Sequence, residues 1–119
     1  MTPAKIGLVL DCGDPQTLAT FWSQALGYVI VGGVENYVLL VDEEGVQPKL
    51  LLQKVPEDKQ EKNRMHIDFD TPDVDGEVKR LEGLGARRLE DQRRHEHGTS
   101  WVIMSDPEGN EFCVCQGVG

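Results

Sequence analysis

The run Arg64-Met65-His66-Ile67-Asp68-Phe69-Asp70 sets a guanidinium, an imidazole and two carboxylates at every second position. In an extended strand such residues share one face, so Arg64, His66, Asp68 and Asp70 would meet the same surroundings. His66 could act there as a general base, as a hydrogen-bond partner to a ligand, or as a satisfied structural histidine. Arg64 could clamp a carboxylate or simply pair with Asp68. A second constellation is Cys113 and Cys115, also two residues apart. They read as a reactive pair, as half a metal site, or as buried packing residues, and a disulfide between them would be strained. His95-Glu96-His97 has the look of a ligand pair, but its Arg-rich, Gly-terminated setting suits a solvated or pocket-rim turn. Trp22 belongs to a helical apolar stripe and so to the core, whereas Trp101 fits either the core or a pocket wall. No Ser-His-Asp set, phosphate loop or dinucleotide fingerprint is present.

The elements that must position these residues come in two similar sets. Ile6–Asp11, Asp14 and a stretch closing on Leu26-Gly27 are echoed by Met65–Asp70, Asp73 and a stretch closing on Leu84-Gly85. Such self-similarity over half the chain means two copies of one supersecondary unit. In the first, Asp14 caps a helix and Pro15 suits its first position. Leu18, Phe21, Trp22 and Ala25 then form one apolar stripe, and Gly27 ends the helix. Strands at Tyr28–Gly32, Tyr37–Val41 and Lys49–Lys54 follow, with turns at Gly32-Gly33 and Asp42–Gly45. Segment 56–63 is polar and aperiodic, a natural linker. The second copy has a strand at Met65–Asp70 and an Asp73-capped helix with Val74, Val78 and Leu81 as its stripe. Gly76 and Gly83 weaken that helix, by about 1 kcal/mol each relative to Ala where they lie in its interior. Strands at Arg87–Asp91, Ser100–Ser105 and Glu111–Cys115 complete it, and Asp106-Pro107-Glu108-Gly109-Asn110 is the last turn. Each copy therefore reads β-α-β-β-β.

Strand parity separates two faces. Ile6, Leu8, Leu10 and Met65, Ile67, Phe69 would pack beneath the helices, with Leu50, Leu52, Phe112 and Val114. Gly7, Val9, Asp11, Leu51, Gln53, Glu111, Cys113 and Cys115 would look the other way, together with the set around His66. A pocket is one use of such a face; a solvated side of an antiparallel sheet is the other.

The paired βαβββ units, the Leu-Gly helix ends, Asp-Pro-Glu-Gly-Asn before the last strand, and His66 seven residues ahead of Asp73 resemble the vicinal oxygen chelate superfamily. That group contains glyoxalases, bleomycin-resistance proteins and extradiol dioxygenases, and the likeness runs from Ile6 to Cys115, nearest to the glyoxalase-like branch. The resemblance implies an α+β fold: two tandem βαβββ modules, about 5–55 and 64–116, in one domain. Together they would form an open, curved eight-stranded mixed sheet with helices on the convex face. It also implies a ligand pocket on the concave face and a homodimer. The superfamily's metal-ligand positions correspond to Gly7, Gln53, His66 and Cys113. Only His66 is the usual ligand; Gly7 has no side chain, Gln53 offers a neutral oxygen, and Cys113 replaces a carboxylate with soft sulfur. Asp11 and Asp68 share that face but are expected one pleat beyond the ligand ring. No metal is therefore expected to be obligatory, although His66, Gln53 and Cys113 could hold zinc or nickel weakly.

The remaining features exclude whole classes. A net charge of −9 argues against nucleic acid and against specific membrane-surface binding. No apolar run is long enough to span a bilayer, and the first residues lead directly toward a strand without an export-type apolar stretch. Three cysteines without a Cys-x-x-Cys pair suit a reducing cytoplasm. The expected function is binding or conversion of a small organic molecule. His66 would be the proton carrier, Gln53, Arg64, Asp68 and Cys113 the polar contacts, and Trp101 a wall. A bleomycin-resistance-like sequestering protein and a metal-dependent lyase or isomerase are the alternatives.

Overall fold

The computed structural model describes residues 5–116; residues 1–4, read above as the lead-in to the first strand, lie outside them. The chain divides into two compact units between Asp58 and Lys59. Each is an α+β unit with one helix and one mixed sheet.

In the first unit, β1 (Gly7–Cys12) leads into α1 (Pro15–Leu26), followed by β2 (Val29–Val34), β3 (Tyr37–Val41) and β4 (Lys49–Lys54). The sheet order is β1-β4-β3-β2, with β1 and β4 parallel and the other pairs antiparallel. Helix α1 starts where expected: the Asp14 carboxylate accepts the Thr17 amide hydrogen at 3.3 Å, and Pro15 follows the cap. Gly27 closes it in the left-handed conformation (φ 71°). Leu18, Phe21, Trp22 and Ala25 are buried, as are Val38, Leu40, Leu50 and Leu52 on the sheet face beneath. Trp22 is thus core, with its ring edge-on to Phe21 at 5.2 Å.

The second unit runs β5 (Ile67–Asp70), α2 (Val74–Gly83), β6 (Arg87–Arg88), β7 (Arg94–Glu96), β8 (Thr99–Ser105) and β9 (Glu111–Gln116). Its order is β5-β9-β8-β6, with β7 also pairing β8; β5 and β9 are parallel. Val74, Val78 and Leu81 of α2 are buried, with Val102, Met104, Phe112 and Val114 on the sheet. The turn before β9 is built around buried Asp106, whose Oδ1 accepts the amide hydrogens of Glu108 and Asn110, each at 2.9 Å. Among the described residues no helix is long and apolar enough to cross a membrane.

Several expectations need correcting. Gly32-Gly33 is not a turn: β2 continues through it with a register shift after Ile30, and the chain reverses at Glu35-Asn36. The strand expected at Arg87–Asp91 is only two residues long, while Arg94–Glu96 forms an extra strand, giving nine among the described residues where eight were expected. His97 (φ 51°) and Gly98 (φ 78°) make its hairpin turn, so His95 and Glu96 are strand residues. Ile6 and Met65, expected in the core, are 72% and 79% exposed. Both precede the first paired residue of their strands, where no ladder imposes an inward face.

Gly76 also differs from expectation. It donates its amide hydrogen to Asp73 Oδ1 at 3.1 Å, and a Cβ there would stand 2.2 Å from Asp73 Oδ2. Alanine would displace the cap that starts α2, whereas a Cβ at Gly83 meets nothing within 4 Å. Gly83→Ala should raise unfolding stability by up to about 1 kcal/mol. Gly76→Ala should be the less stable of the two by about 1–2 kcal/mol, read by urea unfolding. Equal gains from both would contradict this view of the cap.

Candidate functional site

The parallel pairing of β5 with β9 sets Asp68 opposite Cys113 and Asp70 opposite Cys115. Antiparallel pairing of β9 with β8 then places Ile103 opposite Cys113 and Trp101 opposite Cys115. Residues opposite one another in a ladder share a face. Asp68, Asp70, Cys113, Cys115, Ile103 and Trp101 therefore occupy the face turned from the α2-packed core of Val102, Met104, Phe112 and Val114. Trp101 therefore lies on the face turned from the helix-packed core.

His66 joins them from the segment just ahead of β5. Its Nε2 lies 3.1 Å from Asp68 Oδ1, both side chains being substantially exposed. A nitrogen of His66, a carboxylate oxygen of Asp68 and Sγ of Cys113 all fall within 4.8 Å of one another. The cluster thus combines an exposed imidazole and an exposed carboxylate with one buried thiol. The expectation that Asp68 lies a pleat beyond the ligand ring is overturned, because its register partner is Cys113 itself.

The thiols are kept neutral. Burial, reinforced by the negative charge of Asp68, raises the Cys113 pKa above its ordinary value. Cys115 is pushed further, to about 12, by burial, by Asp68, by its neighbours Cys113 and Asp70, and by a hydrogen bond with Asp68. Neither is a ready thiolate nucleophile at neutral pH, and all three cysteines of the chain are buried and outside any disulfide.

A clasp holds the segment that delivers His66. Glu111 begins β9, two residues before Cys113 on the same side of the strand. Its carboxylate pairs with Lys59 Nζ at 3.0 Å and accepts the Asn63 amide hydrogen at 3.2 Å. Asn63 Nδ2 donates back to the Glu111 carbonyl at 3.2 Å. Burial would push the Glu111 carboxyl up, but the bonds from Lys59 and Asn63 leave it below its usual value. Sequence reasoning gave Lys59, Asn63 and Glu111 no role. The parity that pairs Glu111 with Cys113 was the only available hint, since the contacts bridge about fifty residues.

The other expected site residues are placed differently. Arg64 sits in a bend before β5, exposed and without an ion pair among the described residues; Asp68 is paired with His66 instead. Gln53 belongs to the first unit, opposite Asp11 and Tyr37 in the sheet, and is partly exposed.

A family model for the glyoxalase-like domain matches residues 7–115. The chain belongs to that family. No curated protein sequence matches it significantly. Solved structures share the fold at low identity. Protein ATC0852 from Agrobacterium tumefaciens is 19% identical, with a TM-score of 0.80 over 99% of this chain and 100% of that one. A glyoxalase/bleomycin resistance protein/dioxygenase family enzyme from Burkholderia phytofirmans is 13% identical, with a TM-score of 0.77 over 93% and 96%. A mutant of the fosfomycin resistance protein FosX from Listeria monocytogenes, complexed with Mn(II) and dihydroxypropylphosphonic acid, is 16% identical, with a TM-score of 0.77 over 99% and 93%.

The thiol environment in this glyoxalase-like chain has a direct readout. Iodoacetamide labelling of Cys115, followed by mass spectrometry, should still be accelerating beyond pH 10, because only the thiolate reacts. Asp68→Asn should move that rise to lower pH without restoring the ordinary value, since burial remains. A labelling rate that levels off by about pH 9 would contradict the arrangement.

Proposed function

We propose that this glyoxalase-like protein binds and converts a small organic molecule on the sheet face carrying His66, Asp68, Cys113 and Trp101, with His66 as proton carrier and no obligatory metal. The observation that carries this reading is the 3.1 Å contact between His66 Nε2 and Asp68 Oδ1. A neutral imidazole donating its Nε2 hydrogen to the carboxylate keeps the Nδ1 lone pair free. Nδ1 can then take a proton from a carbon beside a carbonyl, and Asp68 offsets the positive charge that develops on the ring. The imidazolium returns the proton to the intermediate and the pair is restored. Trp101 offers an apolar wall for a ring or short chain, and Arg64 stands nearby in sequence as a carboxylate partner.

The donor set favours one second reading. A nitrogen, an oxygen and a sulfur within 4.8 Å of one another fit a three-ligand zinc or nickel site in number and kind. His66, Asp68 and Cys113 would hold the ion, which would polarise a substrate oxygen as a Lewis acid. Binding would have to expel the Cys113 proton that burial and Asp68 retain. The thiol also distinguishes this set chemically from one suited to Mn(II), the ion bound in the FosX complex.

Thermal-shift screening against small aromatic, keto-acid and antibiotic libraries should reveal a ligand that raises the melting temperature. Turnover of such a ligand should fall by at least about a hundredfold in His66→Ala, the range of general acid–base catalysis. The same variant should weaken binding only modestly. Full turnover in His66→Ala would remove the proton-carrier role. Protein purified in the presence of zinc and then treated with a chelator should keep its turnover; loss on chelation and recovery with zinc would establish the second reading instead.

A further inference from the structure

A concave region lies wholly within the first unit. It has a volume of about 550 Å³ and is lined by Lys5, Ile6, Val41, Val46, Pro48 and Lys49, with the Asp42 loop between. That volume falls in the range of small-molecule sites. Its floor and one wall are fixed by the chain itself. The Asp42 carboxylate accepts amide hydrogens from Glu44, Val46 and Gln47 at 3.2, 3.2 and 3.0 Å, and the Asp42 carbonyl accepts that of Gly45 at 2.9 Å. Those bonds hold the Asp42 carboxyl below its ordinary value, foremost the one from Gln47. The Tyr28 hydroxyl donates to the Pro48 carbonyl at 2.6 Å, tying the other end of the loop to the end of α1.

Lys49 is seated by its neighbour. It is the register partner of Gly7, and its stem lies so close over that residue that a Cβ there would be 3.1 Å from Cε and 3.4 Å from Cγ. The absence of a side chain at position 7 therefore leaves room for the Lys49 stem along β1, and Lys5 and Lys49 both line the hollow. Among the described residues neither Lys5 nor Lys49 enters an ion pair or a side-chain hydrogen bond. Beside these two cations, Ile6 is 72% and Val46 79% exposed. The hollow thus sets uncovered aliphatic surface beside two lysines that pair with no acidic group among the described residues.

We propose that this hollow is a binding site for a small monocarboxylate with a short hydrocarbon tail. The carboxylate would lie between the ammonium groups of Lys5 and Lys49, and the tail against Ile6, Val41 and Val46. Two lysines and the Asp42 carboxylate leave the lining one positive charge in excess, which a monoanion balances and a phosphate dianion overshoots. The two readings rest on different residues, and neither depends on the other.

Titration of the isotope-labelled full chain with hexanoate, followed by amide NMR, tests the proposal. Saturable shifts should concentrate on Ile6, Val46, Gln47 and Lys49 and leave Asp68 and Cys113 unmoved. The double variant Lys5→Gln, Lys49→Gln should keep the remaining spectrum, which reports an intact fold, and should bind hexanoate about tenfold more weakly. Hexylammonium and inorganic phosphate should give no saturable response at these residues. Unmoved amides with hexanoate would overturn the proposal. So would binding of hexylammonium or phosphate as tightly as hexanoate, or undiminished hexanoate binding in the double variant.

Discussion

Everything at the candidate site depends on the parallel ladder between β5 and β9. Parallel neighbours cannot be joined by a tight hairpin, so the chain must travel through a helix and further strands before returning. Residues 71–110 make that journey, and two compact devices control where it begins and ends. The Asp73 cap starts α2, and the buried Asp106 turn launches β9 in the register that puts Cys113 beside Asp68. A slip of one residue would turn Cys113 and Cys115 into the helix-covered core and bring Phe112 and Val114 to the site. The hydrophobic cost of that exchange keeps the register, and the register keeps the chemistry together.

Asp68 is the electrostatic centre of the cluster. It faces the imidazole of His66 on one side and raises the pKa values of both thiols on the other. One carboxylate thus contacts the imidazole while suppressing the thiolates, which disfavours nucleophilic attack by either cysteine. The same arrangement explains how a cation could compete for the site. It would take the place of the imidazole proton beside Asp68 and reverse the penalty on the Cys113 thiolate.

Much of the architecture was legible because it is written in local chemistry. Asp14 with Pro15, Asp73, and the glycines at 27 and 85 are capping signals that need no tertiary information. Alternation along β4, β5 and β9 correctly separated Leu50, Leu52, Phe112 and Val114 from Gln53, Asp68 and Cys113. What was not legible lay where local preference and the ladder disagree. Gly32-Gly33 carries every mark of a turn, yet pairing with β3 continues through it. Ile6 and Met65 obey the alternation but lie beyond the paired residues. The importance of Asp68 could not be read because it follows from which residue stands across from it, and the Glu111 clasp joins residues far apart in sequence. Parity assigns a face; only pairing assigns a neighbour.

The central claim is that Asp68 orients His66 and fixes which ring nitrogen carries the hydrogen. Long-range proton–nitrogen NMR of the imidazole, recorded at alkaline pH where the ring is neutral, measures this directly. The account predicts that His66 holds its hydrogen on Nε2 and that Asp68→Asn changes the balance of the two tautomers. A ring in which Nδ1 carries the hydrogen, or one indifferent to the loss of the Asp68 charge, would contradict it.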